Sequence, residues 1–234
     1  MSTDPTMGHA VVSGATGGIG QAIVQRLLEA GWRVTGLDLG PAAMRHAAYR
    51  HVTVDLCDDQ ATGQALQALA DVGALVHAAG LLRVAPLAQS NPADGERMWK
   101  LHVDAAVRLA RHLTPEMAAR GGGRVVLIGS RVAQGLPGRG QYAASKAALV
   151  ALARSWGAEL AGQGVTVNVV SPAATQTGML DAPARAASPA RLPPIGRLIQ
   201  PGEIAALVAF LLSADAAAIT GQDIAICGGA SLLR

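Results

Sequence analysis

Seven short, β-rich apolar runs alternate with five longer helical stretches along this chain, and few folds accommodate such a pattern. The short runs fall at 10–13, 33–38, 51–55, 74–77, 124–129, 165–170 and 223–227, and the helical stretches at 19–30, 61–70, 97–120, 143–161 and 203–212. Strands that are apolar throughout, rather than on alternate residues, must be covered on both faces. Parallel strands joined by helical crossovers meet that demand. The expected architecture is therefore α/β, a single doubly wound parallel sheet of about seven strands with helices on both faces and right-handed crossovers. No repeat or linker interrupts the pattern, so one domain is expected over residues 1–234. Half of the residues are apolar and 15% are charged, which supplies a sizeable core. Aromatics are only 3%, so that core must be built from Ala, Val, Leu and Ile.

Charge and cysteine usage narrow the partners. A net charge of +3 is spread along the chain without a basic run, which argues against nucleic acid. Cys57 and Cys227 offer no disulfide framework and fit a reducing compartment. Residues 1–7 lack the features of a signal peptide, and no apolar stretch approaches the ~20 residues of a membrane span. The expectation is a cytoplasmic protein with a small-molecule partner, no membrane association and no metal.

The first strand-to-helix turn reads Ser13-Gly14-Ala15-Thr16-Gly17-Gly18-Ile19-Gly20. A glycine-rich turn between an apolar strand and an amphipathic helix is the setting of a dinucleotide site. Gly14, Gly17, Gly18 and Gly20 let backbone approach a pyrophosphate, and Thr16 and Ile19 belong to the same turn, whose helix N-terminus offers free N–H groups. Asp38 closes the second strand, where its carboxylate can accept bonds from ribose hydroxyls and would repel a 2′-phosphate. No basic residue follows it immediately or lies within 15–18, so NAD is favoured over NADP.

Tyr142 and Lys146 lie four residues apart at the start of the Ala-rich stretch and therefore share one helix face. A phenol has an ordinary pKa of about 10. A neighbouring ammonium favours the phenolate and makes the tyrosine a usable acid or base nearer neutrality.

Taken together, these residues resemble the short-chain dehydrogenase/reductase family, whose fold is of the Rossmann type, over nearly the whole chain. The Gly14/Gly18/Gly20 turn matches the family's T-G-x-x-x-G-x-G with Ser13 for threonine. His77-Ala78-Ala79-Gly80 matches its N-N-A-G turn with two changes, and Ser171-Pro172-Ala173-Ala174-Thr175-Gln176-Thr177 matches its P-G-x-x-x-T loop. The resemblance implies hydride transfer between an alcohol or ketone and a nicotinamide. Tyr142 acts as acid or base, Ser130 bonds the substrate oxygen, and Lys146 also holds the nicotinamide ribose. It further implies that Asp55 and Leu56 flank the adenine and that Ala78, Ala79 and Gly80 line the ribose side. Pro172, Thr175 and Thr177 would hold the nicotinamide, and the assembly would be a homotetramer.

A narrower likeness, in 78–83, 159–162, 168–172 and 220–232, is to dehydrogenases of siderophore synthesis that oxidise a cyclic dihydrodiol carboxylate with NAD. Arg83 could pair with such a carboxylate. A ketone reductase such as a 3-oxoacyl reductase and a nucleotide-binding sensor without turnover are the alternatives. The sensor reading rests on His102, which stands where the family usually has an asparagine that helps hold a water beside the lysine. A histidine there either passes protons or breaks the relay. The aperiodic stretch 178–198 is expected to be a mobile substrate loop. Within it Arg185, Arg191 and Arg197 hint at an anionic substrate.

Overall fold

The computed structural model describes residues 8–180 and 191–232. Seven strands form one parallel sheet: β1 (His9–Ser13), β2 (Arg33–Asp38), β3 (Tyr49–Thr53), β4 (Val72–His77), β5 (Gly123–Ile128), β6 (Val165–Pro172) and β7 (Asp223–Ile226). Their order across the sheet is β3-β2-β1-β4-β5-β6-β7, so the winding reverses between β1 and β4. In open α/β sheets, ligands bind outside the strand C-termini at such a reversal. The helices are α1 (Gly18–Glu29), α2 (Asp59–Gln67), α3 (Pro92–Trp99), α4 (Ala105–Ala119), α5 (Gly140–Leu160) and α6 (Pro201–Leu212).

Side chains alternate across the strands into two separate cores. Val11, Leu75, Val125, Leu127, Val167 and Val169 point to the face covered by α4 and α5, with Leu109, Leu113, Met117 and Leu149. Ala10, Val12, Val34, Val76, Val126 and Val170 point to the other face, against Ile23, Val24 and Leu27 of α1 and Ile204, Val208 and Leu211 of α6. This is the double cover that the uninterrupted apolar runs require.

Strand boundaries differ from the sequence expectation by a residue or two, and the differences have local causes. β3 begins at Tyr49 rather than at 51 and ends at Thr53. It is an edge strand and is only partly buried, so its apolar pattern is weak. α2, α3 and α6 start earlier than their apolar runs because polar or proline-bearing turns open them. Asp58 caps α2 by accepting from the Ala61 amide, and Asn91 caps α3 ahead of Pro92. At α6, Gln200 and Glu203 form a reciprocal capping box.

The expected 97–120 helix is longer and not uniform. α3 runs into α4 through a π-helical turn at Lys100–Asp104, with the Ala105 amide bonded five residues back to the Lys100 carbonyl. Such wide turns recur at functional sites. This one contains His102.

Among the described residues, no helix is long and apolar enough to cross a membrane.

Candidate active site

One cavity of about 1500 Å3 opens along the C-terminal edge of the sheet, centred on the reversal between β1 and β4. The phosphate turn forms one side. Gly14 has φ +69, and a Cβ there would lie 2.5 Å from the Ala79 amide nitrogen. A Cβ on Gly20 would lie 1.9 Å from the Gly14 carbonyl oxygen. Both positions exclude any side chain, and the helix start is thereby drawn tight against β1 and the β4 loop. The first-turn amides of α1 have no acceptor within the helix, and no side chain caps it. Thr16, Gly17, Gly18 and Ile19 complete this wall. Cleared backbone at a helix N-terminus fits a pyrophosphate.

Asp38 stands at the end of β2 on the same cavity. Its two oxygens accept from the Thr16 and Gly40 amides, each at 3.0 Å, which fixes the carboxylate in place. Asp55 and Leu56, after β3, line the cavity beside it, and Asp55 is held by the Cys57 amide at 2.9 Å. Ala78, Ala79 and Gly80 follow β4 on the same cavity, and Pro172, Thr175 and Thr177 line it from the end of β6 onward, with Thr177 close against Gly18.

The three candidate catalytic side chains, Ser130, Tyr142 and Lys146, line the same cavity. Ser130, after β5, accepts from the Val132 amide at 3.2 Å, which leaves its own hydroxyl hydrogen free to point into the cavity. Tyr142 and Lys146 lie one turn apart on α5, and both line the cavity. The Tyr142 ring sits in a small cluster with Leu82, Met98 and Val132 and meets the His102 ring edge-on at 5.6 Å between centroids. Lys146 is 4% exposed, and its ammonium donates to the Ile128 carbonyl at 2.7 Å. Burial lowers the pKa of Lys146 to about 7.

His102 is fully buried and lies behind the cavity wall rather than on it. Its Nε2 accepts from the Leu81 amide at 3.0 Å, and its Nδ1 bonds the Ser145 hydroxyl at 2.9 Å. Burial, reinforced by Lys146 and His77, holds its pKa well below the ordinary value. His77 is likewise fully buried, and burial and Lys146 lower its pKa to about 3.

These shifts fix a pH dependence of stability for the protein alone. A pKa lower in the folded than in the unfolded state means that the unfolded chain binds more protons in between, so stability rises with pH across that interval. His77 places one such interval between about 3 and its ordinary 6.5, and Lys146 a second between about 7 and 10.5. Melting temperature without ligand is expected to climb from pH 5 toward pH 9. A Lys146→Met variant should flatten the upper part of that climb. Thermal melts across pH check both expectations, and an unchanged slope in the variant would count against the lysine assignment.

Arg83 does not line the main cavity. It pairs with Asp94 at 3.5 Å beside a separate hollow of about 490 Å3. Arg197 is also elsewhere, bonded to both oxygens of Glu203 at 2.8 Å. Arg191 lines the cavity, whereas Arg185 and the 181–190 part of the expected substrate loop lie outside the described residues. Sequence reasoning passed over Arg97, Lys100, Arg131 and Arg139, all of which line the cavity. The available signal was position: Arg131 follows Ser130 directly, and Arg139 lies three residues before Tyr142.

A family model described as enoyl-(acyl carrier protein) reductase matches residues 14–231. The chain is 36% identical to 2,3-dihydro-2,3-dihydroxybenzoate dehydrogenase of Escherichia coli K12, over 94% of this chain and 96% of that protein. A solved short chain dehydrogenase/reductase family protein superposes with a TM-score of 0.88 at 32% identity, covering 96% of this chain and 97% of that one. A 3-ketoacyl-(acyl-carrier-protein) reductase from Brucella melitensis, solved in complex with NADH, superposes with a TM-score of 0.87 at 25% identity, covering 95% of this chain and 98% of that one.

Proposed function

The chain belongs to the short-chain dehydrogenase/reductase family, and on that premise we propose that it oxidises a secondary alcohol, of the cyclic dihydrodiol carboxylate class, with NAD. It is an oxidoreductase, and its family binds a nicotinamide cofactor. The observation that carries the finer reading is that Ser130, Tyr142 and Lys146 line the same cavity as the glycine turn and Asp38. A bound nicotinamide supplies the carbon that accepts or gives hydride.

The chain's own residues do the rest. Tyr142 takes the hydroxyl proton as the carbon–hydrogen bond breaks. Ser130 donates its hydroxyl hydrogen to the same oxygen and steadies the charge that develops there. Lys146, one turn along α5 and charged below its pKa of about 7, favours the phenolate and would hold the ribose of a bound cofactor. The walls of the cavity orient the substrate and keep bulk water from the reacting carbon.

Substrate class follows from charge. Arg97, Lys100, Arg131, Arg139 and Arg191 line the cavity with Glu96 as the acid among them, and Asp38 and Asp55 lie at the end of β2 and after β3. A basic substrate side suits a carboxylate. The likeness to the Escherichia coli dihydrodiol dehydrogenase points the same way. A second reading, a ketone reductase using the same path reversed, is supported by the likeness to the Brucella enzyme. Absorbance of reduced nicotinamide separates the two. Turnover of 2,3-dihydro-2,3-dihydroxybenzoate with NAD supports the first, and preference for a 3-oxoacyl thioester with reduced cofactor replaces it with the second.

Asp38 should decide between cofactors. A fixed carboxylate near a 2′-phosphate repels it by a few kcal/mol at the effective dielectric of a protein surface. We expect kcat/KM to favour NAD over NADP by about a hundredfold, and Asp38→Asn to narrow that ratio about tenfold or more. A wild-type preference for NADP would refute the assignment.

A further inference from the structure

Behind the Tyr142 wall stand two buried histidines whose hydrogen bonds each allow only one direction. The Leu81 amide can only donate, so the His102 Nε2 that it reaches at 3.0 Å is an acceptor. The proton of the neutral ring is then on Nδ1, which donates to the Ser145 hydroxyl at 2.9 Å. Ser145 passes its own hydrogen to the Tyr142 carbonyl at 2.8 Å.

A second chain runs into the same residue. The His102 carbonyl can only accept, so the His77 Nε2 at 3.1 Å carries a hydrogen. His77 Nδ1 is then an acceptor and takes the Ser13 hydroxyl at 2.8 Å. Ser13 in turn accepts from the Ala79 amide at 3.3 Å.

Joined at His102, the two chains connect the residue before Gly14 to the backbone of Tyr142. They cross from β1 to β4, from β4 to the π turn, and from the π turn to α5. Every ring nitrogen is used. An added proton on His102 would set N–H against the Leu81 amide. One on His77 would turn the Ser13 hydroxyl hydrogen away from the ring nitrogen that accepts it. Lys146 is the charged group that acts on both rings, and it opposes protonation of each.

We propose that His77 and His102 are positioning residues that act as one brace, holding the Tyr142 turn in register with the phosphate turn, and that neither ring gains or passes on a proton during turnover. The order of this wall is then set by buried side chains rather than by the cofactor. Only the kinetic half of the test rests on the hydride-transfer reading.

The first half needs no turnover. Nitrogen-15 spectra of histidine-labelled wild-type protein, assigned by substitution, should show His77 protonated at Nε2 and His102 at Nδ1. Neither should titrate between about pH 5.5 and 9, although free histidine titrates there. The opposite tautomer at either ring, or a titration in that range, overturns the proposal.

The second half compares His77→Asn, His102→Asn and the double variant. Each single change should lower kcat about tenfold without altering the shape of its pH profile. The double should lose no more than the worse single, because residues within one network do not add. Losses that multiply, or a pH limb that disappears with His102, would overturn the brace. Absence of wild-type turnover would instead sink the hydride-transfer reading, with the spectra still deciding this one.

Discussion

Tyr142→Phe is expected to lower kcat by about 10³-fold while cofactor binding and stability hold, because the substitution removes one oxygen and little else. A positioned acid or base contributes roughly 10²- to 10⁴-fold. The phenyl ring keeps its packing against Leu82, Met98 and Val132 and its edge contact with His102. The Tyr142 backbone carbonyl, which Ser145 holds, is untouched. The measurement is kcat by reduced-nicotinamide absorbance beside cofactor affinity by calorimetry. Retention of more than about a tenth of wild-type kcat would remove Tyr142 from the chemistry.

Lys146→Met should cost about 10²-fold in kcat and weaken cofactor binding as well, a split that distinguishes it from the tyrosine change. The lysine is buried and spends one hydrogen on the Ile128 carbonyl at 2.7 Å, which aims the remaining two. On the proposed reading, its removal would deprive the phenolate of its cation and the ribose of a donor. It also removes a buried charge whose burial holds the pKa at about 7. Folding stability near pH 6 should therefore be no lower in the variant than in the wild type, despite the Ile128 carbonyl losing its partner. A kcat loss with cofactor affinity unchanged would show that Lys146 serves the tyrosine alone.

Much of this site was legible because spacing carries it. Tyr142 and Lys146 share a helix face at i and i+4, and the glycine turn follows an apolar strand. Both facts survive folding because they depend on one element each. The same locality made Asp38 readable, since a strand end in a parallel sheet lies at the ligand edge. Arg139 and Arg131 were not legible, although they adjoin the reactive residues in sequence. Which way an arginine turns depends on loops whose path no periodicity records. Arg83 illustrates the converse: its place in the chain suggested the substrate, but Asp94 at 3.5 Å draws it to another hollow.

His77 and His102 were visible only as two separate departures from the family pattern. Their meaning is relational, because the His77 ring ends on the His102 carbonyl at 3.1 Å, across 25 positions of sequence. The π turn that presents that carbonyl left no trace in the apolar pattern of 97–120. A wide turn changes backbone registry by one residue and keeps the buried face nearly continuous.

The two unlike faces of the sheet bear on how this chain can change over generations. The phosphate turn leads into α1, anchored in the slab shared with α6, whereas Tyr142 and Lys146 ride on α5, anchored in the opposite slab with α4. Drift in one slab is insulated from the other by a layer of strands. Lineages can thus alter one half of the site while inheriting the other intact. The joint that drift cannot cross freely is the narrow one, where Ser13, His77, His102 and Ser145 tie the slabs together. Substitutions there are expected to be inherited in sets, each histidine making sense only in the company of the other.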